Sequence, residues 1–153
     1  MPQSEQLTVN ELVSKWLSLG REFAAGAGDL RGIYVYAVSE EGESYGEIFF
    51  DQAGFIDYPG RLKGVEIDVD RVGRLHHLLF EDLFAAEEEF RRLGVPIPTE
   101  YRIFCEMPSG RLDVQLSREL KYANHPTKIM ENGPRDWLGE RVPDVFNREA
   151  NSS

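Results

Sequence analysis

A long amphipathic segment at residues 70–93 constrains the fold of this chain most. Its apolar residues recur at three- and four-residue intervals, which places them on one face of an α-helix with about 100° between successive residues. They are Val72, Leu75, Leu79, Leu83, Ala86, Phe90 and Leu93. Gly94 ends the pattern and Pro96 follows it. The segment therefore predicts one long helix with a single apolar face.

The N-terminal segment predicts another amphipathic helix. Thr8-Val9-Asn10-Glu11 fits a capping box, in which the two end residues satisfy each other's backbone N–H groups, and Leu7 and Leu12 fit the accompanying staple. The apolar stripe that follows contains Val9, Leu12, Val13, Trp16, Gly20 and Phe23. It stops in the glycine cluster Gly26-Ala27-Gly28. We expect this helix at about residues 9–25.

Residues 32–38 and 45–50 are rich in β-branched and aromatic side chains, which favour strands, and a polar run at 39–44 joins them. These segments predict a β-hairpin. Because successive side chains of a strand alternate between faces, Ile48 and Phe50 should share one face. The other face should carry Tyr45, Glu47, Phe49 and Asp51.

A second hairpin is predicted from residues 101–106 and 112–116, which are joined by a turn with proline and glycine at 107–111. Apolar and polar residues alternate along the second of these segments, so we expect one buried and one solvent-facing side. Shorter strands are expected near residues 55–58 and 65–69, where proline and glycine would make them irregular.

The last helix is expected to begin at Pro134, because proline is tolerated in the first turn, and to end before Pro143. The order of elements and the short connections between strands predict an α+β fold. In this fold an antiparallel sheet built from hairpins is packed by an N-terminal helix, one long central helix and a short C-terminal helix. We expect a single domain over residues 1–150 and a frayed tail at 151–153.

The net charge of the chain limits the classes of partner that it can be expected to bind. With 17 Lys and Arg against 27 Asp and Glu, the formal net charge is −10 at pH 7. Such a charge argues against direct nucleic-acid binding and favours partners with basic surfaces. A mean hydropathy of −0.41 and the lack of a long apolar run argue against a membrane span. The single cysteine, Cys105, and the absence of a recognisable secretion signal lead us to expect a cytoplasmic protein.

Motifs that carry chemistry are not found in this sequence. It has no G-x-S-x-G, G-x-x-x-x-G-K-[ST] or H-E-x-x-H pattern. His77, Glu81 and Glu88 lie close together on the long helix, but charged residues opposite an apolar stripe are typical of a solvated face. Cys105 should be an inert, buried thiol. We therefore expect no catalytic residues, no metal and no cofactor.

Acidic residues are unevenly distributed along the chain. Residues 32–60 contain no lysine or arginine and six carboxylates, namely Glu40, Glu41, Glu43, Glu47, Asp51 and Asp57. Between residues 75 and 90, the long helix adds Glu81, Asp82, Glu87, Glu88 and Glu89. These groups form either a solvated face that keeps the protein soluble or a binding site for a basic partner.

Phe80 and Phe84 lie on the long helix about 140–180° away from its apolar stripe. One interpretation is that a second layer, such as the C-terminal helix with Trp137, covers them. We favour it because soluble monomers seldom leave large apolar patches bare. In the other interpretation they are exposed anchors ringed by Glu87, Glu88 and His77, which would form a hot spot for a basic partner.

The order of motifs in the second half of the chain is distinctive. The acidic helix ends at Gly94 and is followed by Tyr101-Arg102-Ile103-Phe104-Cys105-Glu106, a Pro108-Ser109-Gly110 turn, Arg111-Leu112-Asp113-Val114, Leu120-Lys121-Tyr122 and Trp137. With the Ile33-Tyr34-Val35-Tyr36-Ala37 strand and the acidic hairpin, this pattern over about residues 30–140 resembles the YezG-like (DUF600) immunity proteins. Residues 55–69 depart from the family pattern, because they are glycine-rich and lack a longer polar insert.

The resemblance implies a small cytoplasmic protein without a cofactor that binds and neutralises a cognate secreted bacterial toxin, often one that attacks nucleic acid. Such a toxin tends to carry basic residues around its cleft, which an acidic protein complements. We expect the partner-binding surface to contain Glu43, Glu47, Phe49, Asp51, Glu81, Phe84, Glu87 and Glu88. Alternatives are a regulatory or scaffold module that binds another basic protein or itself, and a small hydrolase with paired carboxylates such as Asp51 and Glu81.

Overall fold

The computed structural model describes residues 3–143, which form a five-stranded sheet, three helices and short 3₁₀ turns. The strands are β1 (Leu30–Glu40), β2 (Glu43–Gln52), β3 (Phe55–Asp57), β4 (Glu100–Glu106) and β5 (Leu112–Ser117). They lie in the order β3-β2-β1-β4-β5, and all neighbours are antiparallel. The helices are α1 (Gln3–Phe23), α2 (Val69–Leu93) and α3 (Gly133–Leu138). The predicted α+β fold is confirmed.

The first hairpin is tighter than its polar run indicates. Only Glu41 and Gly42 separate β1 from β2, with φ of 48° and 84°. Positive φ at both central residues is the type I′ geometry, whose twist matches that of the paired strands. Ser39 and Ser44, which we expected in the loop, instead pair across the strands with their hydroxyl oxygens 3.1 Å apart. The strands therefore extend beyond the hydrophobic run.

Helix α1 begins earlier than predicted, so the capping box at Thr8 is wrong. Thr8 is buried within the helix, and its hydroxyl donates to the Ser4 carbonyl oxygen 3.1 Å away, as threonine inside a helix does. Glu5, in the first turn, is also buried and forms an ion pair with Arg118, which follows β5. The partner of Glu5 lies far along the chain, so no local sequence pattern indicates this first turn.

One face of the sheet packs against α1 and α2. The buried side chains of the two helices include Val9, Leu12, Val13, Trp16, Leu17, Leu75, Leu79, Leu83 and Phe90. Trp16 lies among them, fully buried, with its indole N–H donating to the Leu79 carbonyl oxygen at 3.1 Å. Its ring meets Tyr101 of β4 edge-on, with 5.4 Å between centroids. Cys105 is buried on this face, as predicted.

The other face of the sheet is covered by the segment that follows β5. The contacting side chains are Tyr34, Phe49, Ile56, Leu138 and Val142 in one cluster, and Tyr36, Val38, Tyr122 and Met130 in another. Trp137 packs against both, with its ring centroid 5.7 Å from Tyr34 and 6.4 Å from Tyr36. Gly133 is so close to Tyr36 that a Cβ would lie 2.0 Å from the tyrosine oxygen. The sheet is the middle layer of three.

We call residues 118–143, which follow β5, the covering segment. A buried carboxylate at the end of β1 binds this segment and holds it against the sheet. Glu40 is 3% exposed and accepts hydrogen bonds from the backbone N–H groups of Lys121, Tyr122 and Ala123, at 2.8 to 3.1 Å. Hydrogen bonds to a charged acceptor are stronger than those between neutral groups. Glu40 therefore holds the chain in place, with its carboxylate occupied by backbone N–H groups.

A second buried carboxylate organises a polar network under the same segment. Glu100 accepts hydrogen bonds from the Tyr36 hydroxyl at 2.7 Å and from Lys121 Nζ at 2.8 Å, and Arg102 Nε lies 3.1 Å from it. The hydroxyl oxygens of Tyr36 and Tyr122 are 3.0 Å apart. Burial and the hydrogen bond to Glu100 raise the pKa of Tyr36. Tyr36 therefore keeps its proton and remains a donor to Glu100.

Two predicted strand features are wrong. Residues 65–69 form no strand but lead into α2, where Asp68 caps the helix by accepting the Arg71 N–H at 2.8 Å. In β5, Leu112 and Val114 are 46% and 37% exposed, because this edge strand is only partly covered by the helix layer.

The tail predicted at 151–153 lies outside the described residues. No helix within residues 3–143 is long and apolar enough to cross a membrane.

Candidate functional site

Helix α2 lies beside β2 near the first hairpin, and side-chain contacts join it to the sheet at two places. His76 Nε2 lies 2.7 Å from Glu47 Oε1 on β2. Further along the helix, Ser39 Oγ donates to Glu87 Oε2 at 3.1 Å. These contacts bring the outward face of α2 next to the end of the hairpin.

The aromatic residues on that outward face are stacked on each other. The ring centroids of Phe80 and Phe84 are 6.1 Å apart with 24° between planes. Phe80 is partly buried over Gly46, where a Cβ would lie 3.6 Å from its ring and 2.6 Å from Leu79. Phe84 is 49% exposed. The interpretation that the C-terminal helix covers both is wrong, because Trp137 packs on the opposite face of the sheet.

Carboxylates surround Phe84 on the helix. Glu81, Glu87 and Glu88 lie three or four residues from it, the spacing at which helical side chains are neighbours. Glu43 is exposed at the start of β2, one residue before the serine pair that contacts Glu87, and its own side chain lies on the other side of the hairpin end, with that of Glu40. We call this set the acidic–aromatic surface, and it consists of Glu43, Phe80, Glu81, Phe84, Glu87 and Glu88.

The charges of the acidic–aromatic surface have only weak partners within the chain. Glu81 pairs with His77 at 3.2 Å and Glu88 pairs with Arg91 at 2.6 Å, and all four side chains are at least 60% exposed. Such exposed pairs contribute about 0–1 kcal/mol. Partial burial raises the pKa of Glu87, whereas a serine hydrogen bond and Arg91 oppose this. A basic partner can therefore replace these contacts at little cost in free energy.

The structure contradicts the predicted roles of Glu47 and Phe49 in this surface. Glu47 is 8% exposed, and its carboxylate accepts the Ile48 N–H at 3.0 Å. Phe49 is fully buried, with its ring centroid 5.1 Å from that of Tyr58. Both residues lie on the predicted face of β2, but there the segment after β5 covers Phe49, and the Glu47 carboxylate turns to His76 of α2. Neither side chain is accessible to a partner.

Asp51 is separated from the acidic–aromatic surface. At about 3.3 Å per residue it lies roughly 26 Å along β2 from Glu43. There it accepts the Gly54 N–H at 2.9 Å, whereas Glu81 pairs with His77 on α2. Asp51 and Glu81, the example given for the hydrolase alternative, thus bond to different partners, Asp51 at the turn after β2 and Glu81 on α2. Among the described residues, no group of three or more His, Cys, Asp or Glu is placed to hold a metal ion.

A cavity of about 620 Å³ extends the acidic character beyond the helix. It opens beside Glu43, and its walls include Glu41, Glu131, Tyr122 and Met130. We did not predict Glu131 as a site residue, since no periodic pattern links it to the hairpin. In the sequence, only the acidic residues within 40–43 indicated that this end of the hairpin carries negative charge.

A search of protein-family models and of curated proteins found no match to this chain.

Replacing His76 with glutamine is expected to destabilise the protein more at about pH 6 than at about pH 9. The hydrogen bond to Glu47 raises the pKa of His76, although partial burial opposes this. A raised pKa gives a contribution that is fully present below the unfolded value, near 6.5, and is lost as the pH rises through the folded value. Urea denaturation of both proteins at the two pH values measures the difference.

The control is His77→Gln, because the His77 side chain is 75% exposed and its pair with Glu81 should contribute little at either pH. If His76→Gln lowers the free energy of unfolding equally at both pH values, the protonated His76–Glu47 pair is not what joins α2 to β2.

Proposed function

We propose that this protein is an immunity protein that binds and neutralises a cognate secreted bacterial toxin. The toxin carries a basic surface, and its inhibition needs neither catalysis nor a cofactor from the immunity protein. The protein acts in the cytoplasm of the cell that it protects. The observation that carries the proposal is Phe84, which is 49% exposed and surrounded by carboxylates in a chain of net charge −10.

The physical chemistry of interfaces supports this combination. Hot spots consist of a few large side chains, often aromatic, inside a rim that excludes water. A rim of one charge steers an oppositely charged partner and raises the association rate by about 10–10³ at low ionic strength. A toxin that acts on nucleic acid needs basic residues to bind phosphates, so an acidic surface complements the cleft it must block.

Reversing three charges of the acidic–aromatic surface is expected to slow association with the toxin by about 10–100-fold at low salt. The variant is Glu43→Lys, Glu81→Lys and Glu88→Lys, which removes the exposed rim and leaves the buried carboxylates intact. In a separate variant, Phe84→Ala should cost about 2 kcal/mol of binding, or roughly 30-fold in Kd. The candidate toxin is the product of the neighbouring upstream gene. Surface plasmon resonance at low and high salt, with that protein as the ligand, measures both effects.

A matched control carries Glu22→Lys, Glu66→Lys and Glu119→Lys. These exposed residues lie outside the acidic–aromatic surface, and the substitutions change the net charge by the same amount. The control should bind with nearly the wild-type association rate. If both triple variants lost association rate equally, the rate would depend on the net charge of the protein and not on the acidic–aromatic surface.

Growth of cells that express the toxin tests the biological part of the proposal. Co-expression of the wild-type protein should restore growth, and the charge-reversal variant should protect less. Binding without protection would instead assign the protein as a regulatory or scaffold module for a basic protein. Failure of the neighbouring gene product to co-purify would contradict both functions for that pair.

A further inference from the structure

The sheet has two edges, and the structure blocks one of them. At this edge β3 pairs with residues 50–52 of β2. Beyond β3, the Glu47 carboxylate accepts the Ile48 N–H and also contacts His76. A side chain that occupies an outward backbone group hinders the pairing of another strand. The β2 edge is therefore protected against strand addition at residues 48–52.

The other edge is the outer side of β5, and within residues 3–143 no strand lies beyond it. The carbonyl groups of Arg111 and Ser117 accept backbone N–H groups on the β4 side, each at 2.8 Å. Backbone groups alternate in direction along a strand. Those of Leu112, Val114 and Leu116 consequently point outward, where a further strand would bind.

The side chains of β5 are also incompletely covered. Its three leucine and valine residues are register partners of Cys105, Ile103 and Tyr101, so they share the helix side of the sheet. All three partners are fully buried, whereas Leu112 is 46% and Val114 is 37% exposed. The strand contains neither proline nor lysine, which protect many natural edges. β5 thus combines an open backbone edge with half-exposed apolar side chains.

We propose that β5 of a second copy of this chain pairs antiparallel with this edge, about a two-fold axis at Val114. In this register Val114 faces its own counterpart, and Leu112 faces Leu116, so every apolar side chain meets another on the same face. On the opposite face Asp113 meets Gln115, and no like charges are directly opposed. The two five-stranded sheets become one continuous sheet.

The charge of β5 favours a second copy over a basic protein. Residues 111–118 contain two arginines and one aspartate, so this segment does not share the acidic excess of the chain. Local repulsion between two copies is therefore low at this edge, and a basic protein gains no attraction there. A six-residue strand makes a contact smaller than the standard interface of about 1,600 Å², so we expect a micromolar Kd.

The dimer does not depend on the proposed function. The acidic–aromatic surface lies along α2 beside β2, whereas β5 is the opposite edge of the sheet. Pairing through β5 leaves the acidic–aromatic surface of each copy open. A toxin-binding defect and a dimerisation defect are therefore separable by different substitutions.

Sedimentation velocity of the full chain at about 1 and 100 μM, which bracket a micromolar Kd, tests the dimer. The mass should rise with concentration from 17.5 kDa towards twice that value. Val114→Pro should stay monomeric, because it removes an outward N–H and leaves the bonds to β4 intact. Leu7→Lys, which alters a 59% exposed leucine on α1, should dimerise like the wild type.

Cysteine cross-linking tests the register of the proposed strand pair. It does not depend on whether the Val114→Pro variant folds. Val114→Cys should form an intermolecular disulfide under mild oxidation, since the two Cα atoms would be about 5.5 Å apart. Gln115→Cys should cross-link much less, because it faces Asp113. The native Cys105 is buried and should give no background.

Three results would overturn the proposal. The first is a wild-type chain that stays monomeric at the higher concentration, and the second is a Val114→Pro protein that still dimerises. The third is equal cross-linking by the two cysteine variants. A monomer that changes mass only after a basic protein is added, and loses that change in Val114→Pro, would assign this edge to that protein.

Discussion

Replacing Trp16 with alanine is expected to lower the free energy of unfolding by about 3–5 kcal/mol. The indole is fully buried between the helices and the sheet, packs edge-on against Tyr101 and donates to the Leu79 carbonyl oxygen. Alanine would leave a cavity, which is costly in a packed core, and would remove the indole hydrogen bond to a carbonyl group of α2. Urea denaturation followed by circular dichroism measures the loss.

Two controls on the same helix separate the causes. Trp16→Phe retains an aromatic ring but lacks the indole N–H, so it should cost less than the alanine variant. Leu7→Ala changes a residue that is 59% exposed and should stay within about 0.5 kcal/mol of the wild type. A Leu7→Ala loss as large as that of Trp16→Ala would show that α1 presents a different face to the core.

Replacing Glu100 with alanine is expected to be similarly destabilising, by about 3–5 kcal/mol. The carboxylate is 3% exposed, and its removal leaves Tyr36 and Lys121 without their shared acceptor and Arg102 without its charge partner. Buried charges that lose their partner are costly because they are no longer compensated for lost hydration. The free energy of unfolding in urea gives the magnitude.

The matched control is Glu106→Ala on the same strand. Glu106 bonds to Ser109 and Arg111 at the surface, where such pairs contribute about 0–1 kcal/mol. Since both variants remove a glutamate from β4, the difference between them reports burial. Equal losses would mean that the network under the covering segment contributes nothing specific.

The two faces of the sheet are thus held by different forces. The helix side is an apolar core around Trp16, whereas the other side combines aromatic packing with the buried carboxylates Glu40 and Glu100. The covering segment packs against the aromatic residues of the second face, including Phe49, and buries them. The outward face of α2 and the β5 edge stay accessible, and there we propose toxin binding and self-association.

Much of the fold follows from local pattern. The stripe of α2 predicts a helix at 70–93, and the structure has Val69–Leu93. Both hairpins are present, because β-branched and aromatic runs with short polar connections leave few other arrangements. The start of α1 was predicted wrongly because Glu5 is stabilised by Arg118, a residue more than one hundred positions away.

The candidate site was predicted less well than the fold. Alternation correctly placed Glu47 and Phe49 on one face of β2, but it carries no information on what covers that face. The helical wheel placed Phe84 away from the core, yet we favoured covering it with Trp137, which packs elsewhere. The apolar residues after β5 have no regular period, so their docking on the sheet was not visible.

The sequence by itself determined the α+β class, the long helix, both hairpins and the acidic excess, because each depends on residue type and on spacings within a short stretch of chain. Only the tertiary structure decided which of those acids and aromatics face solvent. Exposure depends on contacts between segments distant in sequence, such as Glu40 with residues 121–123 and Ser39 with Glu87. Those contacts bury Glu40, half-bury Glu87 and leave Phe84 and the β5 edge open to a partner.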